Sequence, residues 1–510
     1  METGEYRREY AAYRTEYELA RYNYISGRTP KFNLAPLEDR YAALWTREVI
    51  ADLQNTHDKI HPQFETERTA LRTLAAAARL GFVEVQTRAL SRELEGCEAA
   101  NSLPLDDGGR VSPREAVARI AHESDAARRR ELTANWLERV RACEDLRAAH
   151  LDARDEAART LDFENYFALS SDVERSPAEE TLRASVESLP RLTDEIYRAR
   201  LAAWAVQHLP TGGAREMSFA DGLFFRRLSS LESFFPSNAL KATYRQTLAG
   251  LGVRIESQQN LRLEESVRNA AFAAAAVCCP VNPPEDVRLL YRVVNGADTF
   301  RRFYQEAGRA QSFAWASRDL ATHYPELVFQ HSSATVEGHA FLFRFLLHDP
   351  AWLAEHRELK ASEAQAGAGA FALVELHDAR RCAAALCFRG ELIRAAADPR
   401  SEHLSETYEA TFREATGFSH PRALSLFDAD NSLSPAVGLR ARLFAASLGE
   451  YLRTRHGRRW WVVRRAGDEL IDLWNTASRY TPEEQAALIG APALDAELLA
   501  AGLSETLNEN

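Results

Sequence analysis

Long runs of helical periodicity, with few competing strand signals, constrain this chain more than any other feature. Apolar residues recur at three- and four-residue spacing over residues 41–53, 65–80, 113–158, 178–188 and 191–207, without internal proline after the first turn. Such segments bury one stripe each, which predicts a mainly α body of helices packed on helices. Breaks are expected at residues 102–109, 209–213, 279–284, 364–369 and 428–435, where Pro, Gly, Asp and Ser cluster. With 510 residues, 45% of them hydrophobic, the chain is long enough for two lobes, expected at residues 1–210 and 211–510 and interleaved.

A net charge of -11 argues against nucleic acid or an anionic membrane as partner, since both need concentrated positive charge. The amino terminus is charged and tyrosine-rich, with no apolar run of signal-peptide or membrane-span length, so a cytoplasmic location is expected. The six cysteines, Cys97, Cys143, Cys278, Cys279, Cys382 and Cys387, are irregularly spaced. That spacing favours buried, reduced thiols over a disulfide framework or a zinc ribbon.

One strand stands out, over residues 286–294, β-branched and ending at the turn signal Asn295-Gly296. A helix follows, with Asp298 placed to cap it. Phe300, Phe303, Ala307, Ala310 and Ala314 trace its apolar stripe, while Arg302, Gln305, Arg309 and Ser312 share the opposite face in the manner of a solvated surface. The paired arginines Arg301-Arg302 and Arg464-Arg465 likewise read as solvated. Paired aromatics such as Trp460-Trp461, Phe224-Phe225 and Phe234-Phe235 read as core.

That helix carries Gln305-Glu306-Ala307-Gly308-Arg309. In a His-Glu-x-x-His helix, two histidines four residues apart face one zinc ion, and the glutamate between them activates its bound water. Here Gln305 and Arg309 hold the two ligand positions and Glu306 remains. A neutral amide is a poor zinc ligand, and a guanidinium repels a cation.

The surroundings of this segment resemble the thimet oligopeptidase and oligoendopeptidase F family, whose helix reads His-Glu-x-Gly-His-x-x-His after such a strand. Glu306 and Gly308 match. That family's second helix carries Glu-x-x-Ser-x-x-x-Glu, whose first glutamate is the third zinc ligand; here Gln330 replaces it, while Ser333 and Glu337 match. Leu161-Asp162-Phe163-Glu164-Asn165-Tyr166 is similar to the family's Leu-Gly-x-x-Asn-Tyr turn, and Cys279-Pro280-Val281-Asn282 to its proline-bearing entry to the substrate strand. The carboxy-terminal helices also resemble those of the family, so the likeness runs over about residues 140–500. It implies a two-lobed, zincin-like metallopeptidase fold enclosing a deep channel, with a small β-sheet beside the active-site helix.

The family's carboxy-terminal loop of tyrosines and a histidine departs here, with Pro435, Gly438 and Leu439 in that stretch and His420 the nearby histidine. The resemblance therefore implies a catalytically inactive relative that has lost its zinc, with no cofactor expected. Zinc lowers the pKa of its bound water from 15.7 to about 7, and Glu306 alone cannot supply that. Peptides or an unidentified protein are the expected partners. The cleft would be lined by Gln305, Glu306, Arg309, Gln330, Ser333, Glu337, Arg288 and His420, and the strand edge over residues 288–294 would be open to backbone pairing. Alternatives are a working hydrolase with a relocated metal, using His331 with Glu337 or His339, a metal-free Glu306–Glu337 pair of the glycosidase type, and a scaffold that binds nothing.

Overall fold

Helix on helix is what the periodicity builds. A computed structural model describes residues 2–104, 109–175, 179–209, 216–266, 275–329, 333–394, 401–429 and 435–508. The elements that position the site are α1 (Thr3–Ile25), α2 (Glu65–Ala100), α3 (Glu144–Arg159), α4 (Glu179–His208), strands β1 (Leu261–Glu265), β2 (Ala276–Asn282) and β3 (Asp286–Tyr291), then α5 (Ala297–Ala314), α6 (Ala334–Phe345), α7 (Ala361–Arg394), α8 (Pro435–His456), α9 (Arg464–Asn475) and α10 (Pro482–Ile489). The protein is mainly α, with one three-stranded sheet beside α5.

Several boundaries differ from the sequence reading for packing reasons. Residues 178–188 and 191–207 join into α4, with Pro190 inside the helix. The run over 113–158 divides into Pro113–His122, Ala126–Arg141 and α3, and two of these three are started by side-chain caps at Ser112 and Asp125. No break occurs at 364–369. Ala364 and Ala368 are fully buried inside α7, so these small residues serve close packing.

In the sheet, β3 lies between β1, to which it is parallel, and β2, to which it is antiparallel. The strand ends at Tyr291, three residues short of the predicted end. Both of its edges are paired, which corrects the expectation that Arg288 and its neighbours offer an open edge. β1 and β2 were missed in the sequence, β2 because Pro280 and the following Asn282-Pro283-Pro284 read as a break. Pro280 is tolerated because its missing N–H falls on the side of β2 away from β3.

The main core gathers Phe300, Phe303 and Ala307 of α5 with Phe341 and Phe343 of α6, Val374 of α7 and Phe444 of α8. α6 is wedged between α5 and α8. At Gly308 an added Cβ would sit 2.8 Å from the His339 carbonyl oxygen, and at Gly338 2.3 Å from Phe444 Cδ1. Glycine at both positions is what lets the three helices approach so closely. Helix α1 lies on β2, burying Tyr22 against Cys279, Val281 and Leu290.

Cys97 on α2 and Cys143, just before α3, are joined by a disulfide. This corrects the expectation that all six thiols are reduced. Cys278 and Cys279 are buried, and burial pushes the Cys279 thiol up to about 12. No helix among the described residues is long and apolar enough to cross a membrane.

Candidate functional site

Gly296, with φ 130°, starts α5 where Asp298 was expected to cap it. Asp298 instead lies in the first turn and binds Arg301 and Arg302. The face carrying Gln305, Arg309 and Ser312 is not a solvated surface. Arg309 and Ser312 are buried and Gln305 is half-buried, because α6 packs over them. Of the paired arginines, Arg302 is exposed as expected but Arg301 is buried.

Arg309 dominates the site. Its Nη2 lies 2.7 Å from both Glu337 carboxylate oxygens and 3.4 Å from Glu306 Oε1, so one guanidinium ties the α5 and α6 carboxylates together. Burial pulls the Arg309 pKa down, but the Coulombic attraction of Glu306 and Glu337 outweighs it and holds the charge. Burial likewise pushes the Glu337 carboxyl up against the pull of Arg309. With both oxygens 2.7 Å from a guanidinium nitrogen, we read the pair as ionic. The other oxygen of Glu306, Oε2, accepts the Cys278 N–H at 2.9 Å. The Glu306 carboxylate is thus held from both sides.

Gln305 belongs to a second layer. Its Oε1 accepts from Arg344 at 3.0 Å, and it also hydrogen-bonds Glu337. Arg344 in turn reaches Glu375 at 2.7 Å and Asp378 at 3.0 Å. Arg442 of α8 binds Glu375 at 2.7 Å, while Arg301 and Arg226 each approach Asp378 to 2.8 Å. Burial and the neighbouring Arg301 pull Arg344 down to about 10. Sequence reading missed this network. Its signal was Glu375 at the end of the otherwise apolar stretch 366–376, with Asp378 three residues on, where buried charges require partners.

The remaining predicted residues are dispersed. Ser333 caps α6, accepting the Val336 N–H at 3.2 Å, and contacts Ser478 Oγ at 3.2 Å. Arg288 binds Asp286 at 2.6 Å and stacks over Tyr22. His420 is buried among Phe219, Tyr408 and Phe412, with Nδ1 3.1 Å from the Phe418 carbonyl, and burial pulls it down to about 4. Gln330 and His331 lie outside the described residues.

The family motif that α5 resembles would hold zinc at positions 305, 309 and 330, and the two of these that lie among the described residues do not fit it. Position 309 brings a fixed cation, and the amide oxygen of Gln305 is already an acceptor for Arg344. His339, one candidate for a relocated ligand, is bound through Nε2 to Gln485 Oε1 at 2.9 Å. A glycosidase-type pair is equally ill-suited, because Arg309 bridges Glu306 and Glu337. Among the described residues no group of three His, Cys, Asp or Glu side chains is placed to hold a metal.

No protein-family model matches the chain, and no curated protein sequence does. Among solved structures, one described as "PZ peptidase A with inhibitor 2" matches with a TM-score of 0.61 at 12% identity, covering 93% of this chain and 84% of that one. At that identity the likeness concerns the fold. The chain has the mainly α, zincin-like fold of a peptidase, built around an α5 helix that carries an arginine clamp.

Proposed function

We propose that this protein is a catalytically inactive relative of the oligopeptidases, one that holds peptides or a partner protein in its cleft without hydrolysing them. The observation that carries this reading is Arg309. Its guanidinium sits at a ligand position and takes up Glu337 and Glu306, leaving among the described residues no cluster of anionic or imidazole donors at α5 for a divalent cation. Amide hydrolysis needs an activated water and a polarised carbonyl. A lone carboxylate already bound to Arg309 and to the Cys278 N–H supplies neither.

Peptide binding is supported by the likeness of the fold to that of a peptidase.

The test is zinc titration of the purified, chelator-treated protein together with a cleavage assay on a peptide pool. The expected result is no stoichiometric zinc, no cleavage, and a peptide-dependent rise in melting temperature. One zinc per chain, with cleavage abolished by Glu306→Gln, would overturn the reading.

A further inference from the structure

Backbone pairing in β2 alternates. Arg292 donates to the Ala275 carbonyl, and Val287 and Tyr291 bond towards the β1 side, so Ala275, Val277 and Cys279 direct their main-chain groups to β3. Ala276, Cys278 and Pro280 therefore direct theirs to the outer edge, where an added strand would pair. Pro280 has no N–H to offer. At Cys278 both groups are already taken by side chains of this chain: Glu306 Oε2 accepts the N–H at 2.9 Å, and Arg21 Nη1 donates to the carbonyl at 3.4 Å.

Arg21 reaches this edge because α1 packs on β2 through Tyr22, its immediate neighbour. Glu18, one turn earlier, holds the guanidinium at 2.9 Å. Tyr22 is fully buried, whereas the Arg21 side chain is 23% exposed and makes its contacts at its tip.

We propose that Arg21 caps the Cys278 carbonyl on the outer edge of β2, beside Glu306 on the N–H, and withholds that acceptor from an extended peptide until its side chain swings away. The cap is autoinhibitory. Arg21 stands where the N–H of an incoming strand would donate, while α1 itself stays in place. The inference rests on the reading that the cleft retains peptide binding.

The test uses the full chain and an equimolar pool of fluorescein-labelled random nonapeptides. Anisotropy gives affinity, and amide hydrogen exchange over residues 276–281 reports occupancy of the edge. Arg21→Ala is expected to bind the pool about tenfold more tightly than the native protein, with slowed exchange over 276–281 when peptide is present. Arg21→Met keeps the apolar stem without a donor and should behave alike, which covers the case in which the alanine variant fails to fold.

Equal affinity in native protein and a folded variant would overturn the cap and leave peptide binding standing. So would tighter binding without any change in exchange over 276–281. Failure of both variants to fold would show Arg21 to be a structural tie and would also overturn the cap. No binding by either protein up to about a millimolar would remove the peptide-binding reading and the cap with it.

Discussion

Arg309 and Glu337, 28 residues apart in the chain, form a buried ion pair across the α5–α6 interface, with Nη2 2.7 Å from each carboxylate oxygen. In the zinc motif that this helix resembles, the residue at 309 would be a neutral ligand. Here it is a cation whose counter-charge is built into the neighbouring helix, so the two positions depend on one another.

Removing one partner should therefore cost far more than removing both. Arg309→Ala leaves Glu337 buried without its guanidinium and is expected to destabilise the protein by about 3–5 kcal/mol. Arg309→Met combined with Glu337→Leu should recover most of that loss. Urea unfolding of the single and double variants measures the difference, and equal losses would show that the pair is not coupled.

Gly308 should be intolerant of even one methyl group. An added Cβ meets the His339 carbonyl oxygen at 2.8 Å and Ala340 Cα at 3.0 Å, and backbone cannot yield as a flexible side chain does. Gly308→Ala is expected to cost about 1–3 kcal/mol. Gly96→Ala, in α2 with nothing within 4 Å, should stabilise by about 0.5–1 kcal/mol. Thermal melts of the two variants should shift in opposite directions.

Acid should weaken the fold well before the ordinary carboxylates titrate. Burial holds His339, His348 and His420 neutral, each pulled from 6.5 to about 4. A depressed base gains its proton first in the unfolded chain, so stability present above pH 6.5 is lost as pH falls towards 4, at most roughly 3 kcal/mol per histidine. Glu326 works in the other direction. Burial raises it from 4.5 to about 7 despite Arg7 at 2.9 Å, so its contribution is full below pH 4.5 and is lost as pH rises through 7. Unfolding midpoints measured from pH 7 to 4.5 should fall, and should fall more steeply in Glu326→Gln. A flat native profile over that window would contradict the assignment.

The Cys97–Cys143 disulfide closes a segment with a sequence separation of 46, including helices Pro113–His122 and Ala126–Arg141. Restricting that loop in the unfolded chain is expected to contribute about 2–4 kcal/mol. A denaturant curve with and without reductant measures it. Cys97→Ser should remove the reductant dependence.

Much of the helical framework was legible because helix formation is local. Spacing of apolar residues located α2, α3 and α4, and the motif spacing placed Gln305, Glu306 and Arg309 on α5 and Ser333 and Glu337 at the start of α6. The order β1-β3-β2 was not legible, since a short apolar run does not show which neighbours its backbone groups will take. The burial of Arg301 was hidden for the same kind of reason: its partner Asp378 is 77 residues away, and charge alone reads as solvated.

What the sequence determined by itself was the chemistry available at each position: no imidazole at 305 or 309, a carboxylate at 306, a cation at 309. The tertiary structure decided what that chemistry does. It brought Glu337 to Arg309, Arg344 to Gln305 and Arg21 to Cys278, across separations of 28, 39 and 257 residues. A side chain's character is a property of its own atoms, whereas its partner and its exposure are set by which distant segments pack beside it.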